Sequence, residues 1–193
     1  ILHLMRAALA LRTRESGQSH HLRVIFFEQK DEFAEVEAFV RESISAYELD
    51  LISYSCGFAD GLKQCIDTHG SAAFVLGTRV GDPNAGGQGF FCPSSDWMPP
   101  FMRVNPIIDW EYSHVWQLLR EFDLPVCELY GAGYTSLGKQ SNTLPNPALR
   151  REDGSYAPAW DLQDGSLERA GRSSPSSPAP SSPEPPATDV AAG

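Results

Sequence analysis

The sequence is short of positive charge and of paired cysteine, and it has no apolar run long enough to cross a bilayer. Fifteen Lys and Arg against twenty-five Asp and Glu give the 193-residue chain a formal charge of −10. Duplex and single-stranded nucleic acids are gripped by clustered cations, so no nucleic-acid partner is expected. The longest early apolar stretch, Ile1 to Leu11, is interrupted by His3 and Arg6, which leaves it far below the ~20 residues of a membrane span. A soluble chain without a membrane partner is expected. Four cysteines, Cys56, Cys65, Cys92 and Cys127, have neither C-x-x-C spacing nor the density of a disulfide scaffold. Free thiols in a reducing, cytoplasmic compartment follow from that usage. The five histidines form no H-E-x-x-H or zinc-type spacing, and neither a G-x-S-x-G elbow nor a G-x-x-x-x-G-K-[ST] loop occurs. Zinc-enzyme and serine-hydrolase chemistry drop out with those motifs, and no metal-ligating set is assigned.

What is present reads as one α/β domain followed by a tail. Apolar residues at positions 1, 4, 5, 8 and 11 have helical spacing without a capping residue before them, so a helix is already under way at residue 1. Leu22 to Phe27 reads as a buried strand. Asp31 and Glu32 suit the positive end of a second helix whose face carries Phe33, Val36, Val40, Ile44 and Tyr47. A strand over Leu49–Tyr54, a helix over Asp60–His69 and a strand over Ala72–Leu76 continue the alternation. Strands separated by helices imply a parallel, twisted sheet with helices on both faces, and ligands bind beyond the carboxyl ends of such strands. A long Gly- and Pro-rich loop, Gly77 to Pro100, occupies one of those ends, and loops of that length are usually functional or disordered. A strand from Met102 to Ile108 and a helix from Tyr112 to Phe122 complete the regular part. The Ser-, Pro- and Ala-rich stretch 173–193 cannot bury enough apolar surface to order itself and is predicted to be a disordered tail. A monomer is the default expectation.

An acidic chain that binds an anion must use local positive groups, and eight of its fifteen basic residues lie after Gly77. Gly77-Thr78-Arg79-Val80-Gly81-Asp82 follows a predicted strand. There a glycine permits close backbone approach, Arg79 offers a planar fork for phosphate and Asp82 can orient it. An ion pair that merely braces the loop fits the same spacing. Gly131 to Gly138 has the small and hydroxyl residues of a loop that closes on a ligand or on a neighbouring loop. Asn142 and Asn146 read equally well as turn formers. Arg169 and Arg172, three apart, share one side of a helical turn and could grip a phosphate monoester, or could simply end the ordered chain.

Taken in order, these segments resemble the eukaryotic, fungal-type FAD synthases, FMN adenylyltransferases of the PAPS reductase-like, adenine nucleotide alpha-hydrolase-like fold. The resemblance rests on Phe26-Phe27-Glu28, Gly77-Thr78-Arg79 with Asp82-Pro83, Trp97, and the run from Phe101 to Trp110. It continues through Gly133-Tyr134-Thr135-Ser136-Leu137-Gly138, Asn146-Pro147-Ala148-Leu149, Tyr156 to Trp160, and Glu168-Arg169-Ala170-Gly171-Arg172, and so covers residues 1–172. It implies transfer of AMP from ATP to FMN, giving FAD and pyrophosphate by in-line attack of the FMN phosphate, with Mg²⁺ as cofactor. Gly77, Thr78, Arg79, Asp82, Trp97, Arg103, Asn105, Tyr134, Thr135 and Ser136 would line the cleft, and Phe27 would sit near the adenine. Arg169 and Arg172 would hold the FMN phosphate, with Arg79, Asp82 and Arg169 as the candidate catalytic groups. In this family a strand and a Gly-rich phosphate loop precede the first helix, so the resemblance implies an N-terminally truncated domain that lacks both. Two other readings stay open: a flavin-binding fragment without turnover, and a different adenylyl-transferring member of the fold. Reductase chemistry is not expected, because the related PAPS reductases use a C-terminal Cys and none follows Cys127.

Overall fold

The computed structural model describes residues 1–83 and 85–173. Apart from Ser173, the predicted tail lies outside the described residues. The alternation read from the pattern is present: α1 (Leu2–Ser16), β1 (Arg23–Phe27), α2 (Ala34–Tyr47), β2 (Asp50–Tyr54), α3 (Phe58–His69) and β3 (Ala73–Val75). β4 (Phe91–Pro93), β5 (Met102–Val104) and α4 (Tyr112–Glu121) follow, and the chain then runs through short 3-10 turns to Arg172. No helix among the described residues is long and apolar enough to cross a membrane.

The α/β architecture with parallel pairing holds, with the strands in two pieces. β1 and β2 pair in parallel from Arg23 opposite Asp50 to Phe27 opposite Tyr54. β3 pairs in parallel with β5, and β4 adds to the other side of β5 in the antiparallel sense. No ladder joins β1 to β3. The space there is an apolar cleft of about 490 Å³ whose lining includes Met5 of α1, Val24 and Ile25 of β1, and Phe74 and Val75 of β3. Successive side chains of a strand point to opposite faces, and β1 uses both. Phe27 and Ile25 pack with Leu62 of α3, while Phe26 lines a cleft with Val40 and Ile44 of α2. Helices therefore cover both faces, as the pattern predicts.

Three features differ from the sequence reading. α2 begins at Ala34, with Phe33 at its N-cap position, rather than at Asp31. The Asp31 carboxylate instead accepts from the Ser141 hydroxyl and backbone N–H, and the Asp31 carbonyl accepts from the Gln140 N–H. The Ser141 hydrogen bonds, and to a lesser extent the Lys139 charge, hold the Asp31 carboxyl below the usual carboxylate range. The long loop contains β4, and the strand expected to reach Ile108 ends at Val104, because Asn105 to Asp109 turn back on themselves.

The second half of the chain has its own core. Trp116, 7% exposed, meets the rings of Tyr112, Tyr130 and Trp160 edge-on, with centroids 6.1, 5.3 and 5.5 Å away. Each such pair contributes about 0.5–1.5 kcal/mol beyond its buried area. Leu149, Ala159 and Leu162 complete this cluster, so the irregular stretch after α4 is folded against that helix. Burial pushes the Tyr130 phenol up to about 12, and Tyr112, also raised by burial, donates its hydroxyl to the Ala159 carbonyl at 2.7 Å.

Candidate functional site

The loop after β3, the 133–138 loop and the 165–173 turn converge beyond the carboxyl ends of β3 and β5. Asp82 closes the first of these on itself: its carboxylate accepts from the Arg79 backbone N–H at 2.8 Å and from Arg79 Nη2 at 3.0 Å. Arg79 Nη2 also donates to Glu168 at 2.6 Å, across 89 residues of sequence. Its side chain is only 13% exposed. Burial disfavours its charge, but the hydrogen bond and charge of Glu168, with Asp82, outweigh this and raise the guanidinium pKa. Arg79 is therefore already neutralised by two carboxylates.

Arg169 and Arg172 are placed differently. Both guanidinium groups reach the Ser136 hydroxyl, Arg169 at 3.3 Å and Arg172 at 3.5 Å, and Arg172 also donates to the Leu137 carbonyl at 2.8 Å and to Asn142 Oδ1 at 3.3 Å. No ion pair among the described residues includes either of them. The Nε–H of Arg172 is buried without a hydrogen-bond partner. Burial first, and then the neighbouring Arg169 charge, hold the Arg172 pKa below its ordinary value. Two uncompensated guanidinium groups sharing one hydroxyl form an anion-binding arrangement, since charge-assisted bonds to a phosphate or carboxylate would satisfy both.

Backbone shape makes that arrangement possible. At Gly171 a Cβ would stand 2.2 Å from the Leu144 carbonyl oxygen, so only glycine lets the turn close to the Leu144 N–H···O=C Gly171 bond of 2.8 Å. At Gly138 a Cβ would stand 2.1 Å from Arg172 Nη2. The guanidinium thus lies on a bare backbone, at the far end of a long side chain. Gly138→Ala is therefore expected to leave the melting temperature nearly unchanged while displacing Arg172. Affinity for a phosphate-bearing ligand should fall about ten-fold, the worth of one charge-assisted hydrogen bond; a titration beside a thermal melt would check both.

Thr135 and Asn146 hold the loops together from beneath. The Thr135 hydroxyl donates to the Glu168 carbonyl at 2.6 Å. Asn146, fully buried, donates from Nδ2 to Thr135 Oγ1 and to the Leu167 carbonyl, both at 2.8 Å, and accepts from the Ala148 N–H at 2.9 Å. Neither Glu168 nor Asn146 stands out in the sequence as a site residue. Glu168 follows the local signal Asp164-x-Ser166, an Asx turn that opens its 3-10 turn, but nothing local announces its partner.

Of the residues singled out in the sequence, Arg79, Asp82, Thr135, Ser136, Arg169 and Arg172 come together here, and Gly77 and Thr78 begin the same loop. A cleft of about 630 Å³ runs along this region, bounded by Arg79, Asp82, Asp109, Trp110, Glu168 and Arg169. Tyr134 packs instead on the Phe33, Cys127 and Leu129 cluster, edge-on to Phe33 at 5.5 Å. The others sit elsewhere. Phe27 stacks with Tyr54 and Phe58 at the end of β1. Trp97 is 75% exposed. Arg103 staples the β4 region, donating to the Pro93 carbonyl and to Ser95 Oγ at 2.6 and 3.1 Å. Asn105, fully buried, donates to Gln88 and to the Gly89 carbonyl, which pins that stretch of the long loop.

The fold is shared with known proteins. Residues 59–145 match the phosphoadenosine phosphosulfate reductase domain. A probable FAD synthase of Schizosaccharomyces pombe is 43% identical over 149 residues, 77% of this chain and 56% of that protein. The structure of Candida glabrata FMN adenylyltransferase in complex with FMN and the ATP analogue AMPCPP superposes with a TM-score of 0.81 at 26% identity, over 89% of this chain and 77% of that one. The chain is a homologue of the fungal FAD synthases and has the PAPS reductase-like fold. Yeast FAD synthetase in complex with FAD agrees, with a TM-score of 0.76 at 28% identity over 84% of this chain and 71% of that one. The chain spans 56%, 34% and 34% of the length of the first three curated relatives it matches.

Proposed function

We propose that this homologue acts as an FMN adenylyltransferase, making FAD and pyrophosphate from FMN and ATP. The observation that carries the reading is the pair of guanidinium groups, Arg169 and Arg172, converging on Ser136 without a carboxylate partner among the described residues. An FMN phosphate monoester supplies the missing negative charge and the acceptor oxygens. Held there, one of its oxygens attacks the α-phosphorus of ATP in line: a P–O bond forms to that phosphorus, and its bond to the bridging oxygen of the pyrophosphate breaks. No side-chain nucleophile is needed. Orientation of two bound reactants can contribute about 7–11 kcal/mol towards such a barrier, and the charged cradle keeps the attacking phosphate ionised and aimed. Arg79 and Asp82 then shape the flavin-facing loop that begins at Gly77 and Thr78, while Phe27 takes the adenine side.

Magnesium enters this reading together with ATP. Among the described residues no group of three or more His, Cys, Asp or Glu is arranged to hold a cation, and Mg²⁺ usually binds through substrate phosphates and one or two carboxylates. A cytoplasmic monomer acting on small molecules, without nucleic acid, is the accompanying expectation; four unpaired cysteines fit a reducing compartment.

A second reading, flavin binding without turnover, has its own support: the arginine cradle is built entirely from this chain's loops and needs no ATP to form. Incubating the chain with FMN, ATP and magnesium while following FAD and pyrophosphate separates the two. Formation of both products is the expected result. FMN binding without product favours the second reading, and failure to bind FMN more tightly than riboflavin, which lacks the phosphate, would remove both.

A further inference from the structure

Beyond the cradle itself, the question is what aims it. Arg169 and Arg172 lie on a turn with little regular structure: one short 3-10 turn, Gly165–Leu167, precedes them, and Arg172 closes on Arg169 through a single backbone bond of 2.9 Å. Such a turn holds two long side chains in place only if it is tied down. Its C-terminal end is tied through Leu144, through Asn142 and through the bridge between Thr143 and Arg172. Its N-terminal end is tied at Leu167 and Glu168.

We propose that Glu168 is a positioning residue for FMN recognition, acting through Arg79 to register the phosphate-gripping turn against the loop after β3. This rests on the reading above of Arg169 and Arg172 as the FMN phosphate site, and it names the residue that fixes that site's geometry. Glu168 directly precedes Arg169 and is engaged at both of its ends. Its carboxylate takes Arg79 Nη2 at 2.6 Å and its carbonyl takes the Thr135 hydroxyl at 2.6 Å. Among the described residues the Arg79–Glu168 bond is the only hydrogen bond between the 77–82 loop and the 164–172 turn. Removing that carboxylate leaves Arg79 with Asp82 alone, a partner within its own loop, and the two loops are no longer held at a fixed spacing.

A second consequence concerns charge. Arg79 borders the same cleft as Arg169. With both carboxylates in place it is compensated, so an incoming phosphate is directed to the pair that is not. Without Glu168 the cluster goes from one net negative charge to none and Arg79 Nη2 loses an acceptor, so Arg79 competes for the anion at a position where the phosphate is not oriented for attack. Geometry and electrostatics therefore push in the same direction: Glu168 should matter for ligands that carry the phosphate and not for the flavin ring.

Titrating the full chain with FMN and with riboflavin, for the wild type, Glu168→Ala, Glu168→Gln and the Glu168→Ala/Arg79→Met pair, tests this. Glu168→Ala should weaken FMN roughly ten-fold, within the span of measured pairwise couplings, and leave riboflavin unchanged. Glu168→Gln, which keeps an acceptor for Arg79, should recover most of the loss and guards against a variant that folds poorly. Adding Arg79→Met to Glu168→Ala should cost less than the sum of the two single losses. Equal loss of both ligands, or an FMN affinity untouched by Glu168→Ala in a wild type that does prefer FMN, overturns the proposal and spares the functional reading. A wild type with no preference for FMN over riboflavin overturns both.

Discussion

Replacing Arg169 and Arg172 together by alanine is expected to lower FMN affinity by about a hundred-fold and to leave riboflavin affinity within two-fold of the wild type. The magnitude follows from the bonds at stake. A hydrogen bond to a charged group contributes about 1.5–3 kcal/mol, or roughly ten-fold or more in affinity per arginine, since about 1.4 kcal/mol is a factor of ten. The two side chains share an acceptor and sit close enough for their charges to repel, so the double replacement should fall short of the product of the singles. Fluorescence titration of both flavins reads the discrimination directly. Arg169 is more exposed than Arg172, so its contribution should be the more sensitive to added salt. A double variant that still binds FMN within three-fold of the wild type would remove the cradle as the phosphate site.

Asn146→Ala is expected to destabilise the chain by about 3 kcal/mol, because each buried polar group left without a partner costs about 1–3 kcal/mol. The Ala148 N–H and the Leu167 carbonyl would lose their side-chain partner, and the Thr135 hydroxyl would lose a donor. For a domain of this size a loss of 3 kcal/mol corresponds to a fall in melting temperature of roughly 6–12 °C, readable by calorimetry or circular dichroism. Asn146→Asp should be no milder: it turns a double donor into an acceptor facing the Leu167 carbonyl. If Asn146→Ala melts within 2 °C of the wild type, the three loops are held by something other than this side chain.

Periodicity made most of the regular elements legible. β1, β2, α3 and α4 appear within a residue or two of where apolar spacing puts them, because each buries a face that the pattern displays. β4 was not legible. Three residues show no alternation, and Phe91–Pro93 is a strand only because β5, nine or more residues further on, offers it an edge. The start of α2 was misplaced for a related reason: Asp31 is a fitting first-turn residue by its charge, but Ser141 and Gln140, 110 and 109 residues away, take its carboxylate and carbonyl. The same division runs through the candidate site. Arg79 with Asp82 is a local pair at i, i+3, and Arg169 with Arg172 a local spacing, so both could be picked out. Asn146 is half legible. Its Oδ1 caps the turn at Pro147, as an Asn-Pro pair suggests, while its Nδ2 reaches Thr135 and Leu167, which no local rule indicates.

The outer margin of the three-stranded sheet has a consequence for how the protein behaves at high concentration. A bare strand of unsatisfied N–H and C=O groups recruits the same groups from other molecules, and short or proline-bearing margins prevent it. Here β5 is screened on that side by a segment only three residues long that ends in Pro93, a residue with no N–H to offer, and the Arg103 guanidinium occupies the Pro93 carbonyl. Chain-to-chain strand addition, the first step towards fibrillar deposits, is blocked there by proline and a guanidinium group.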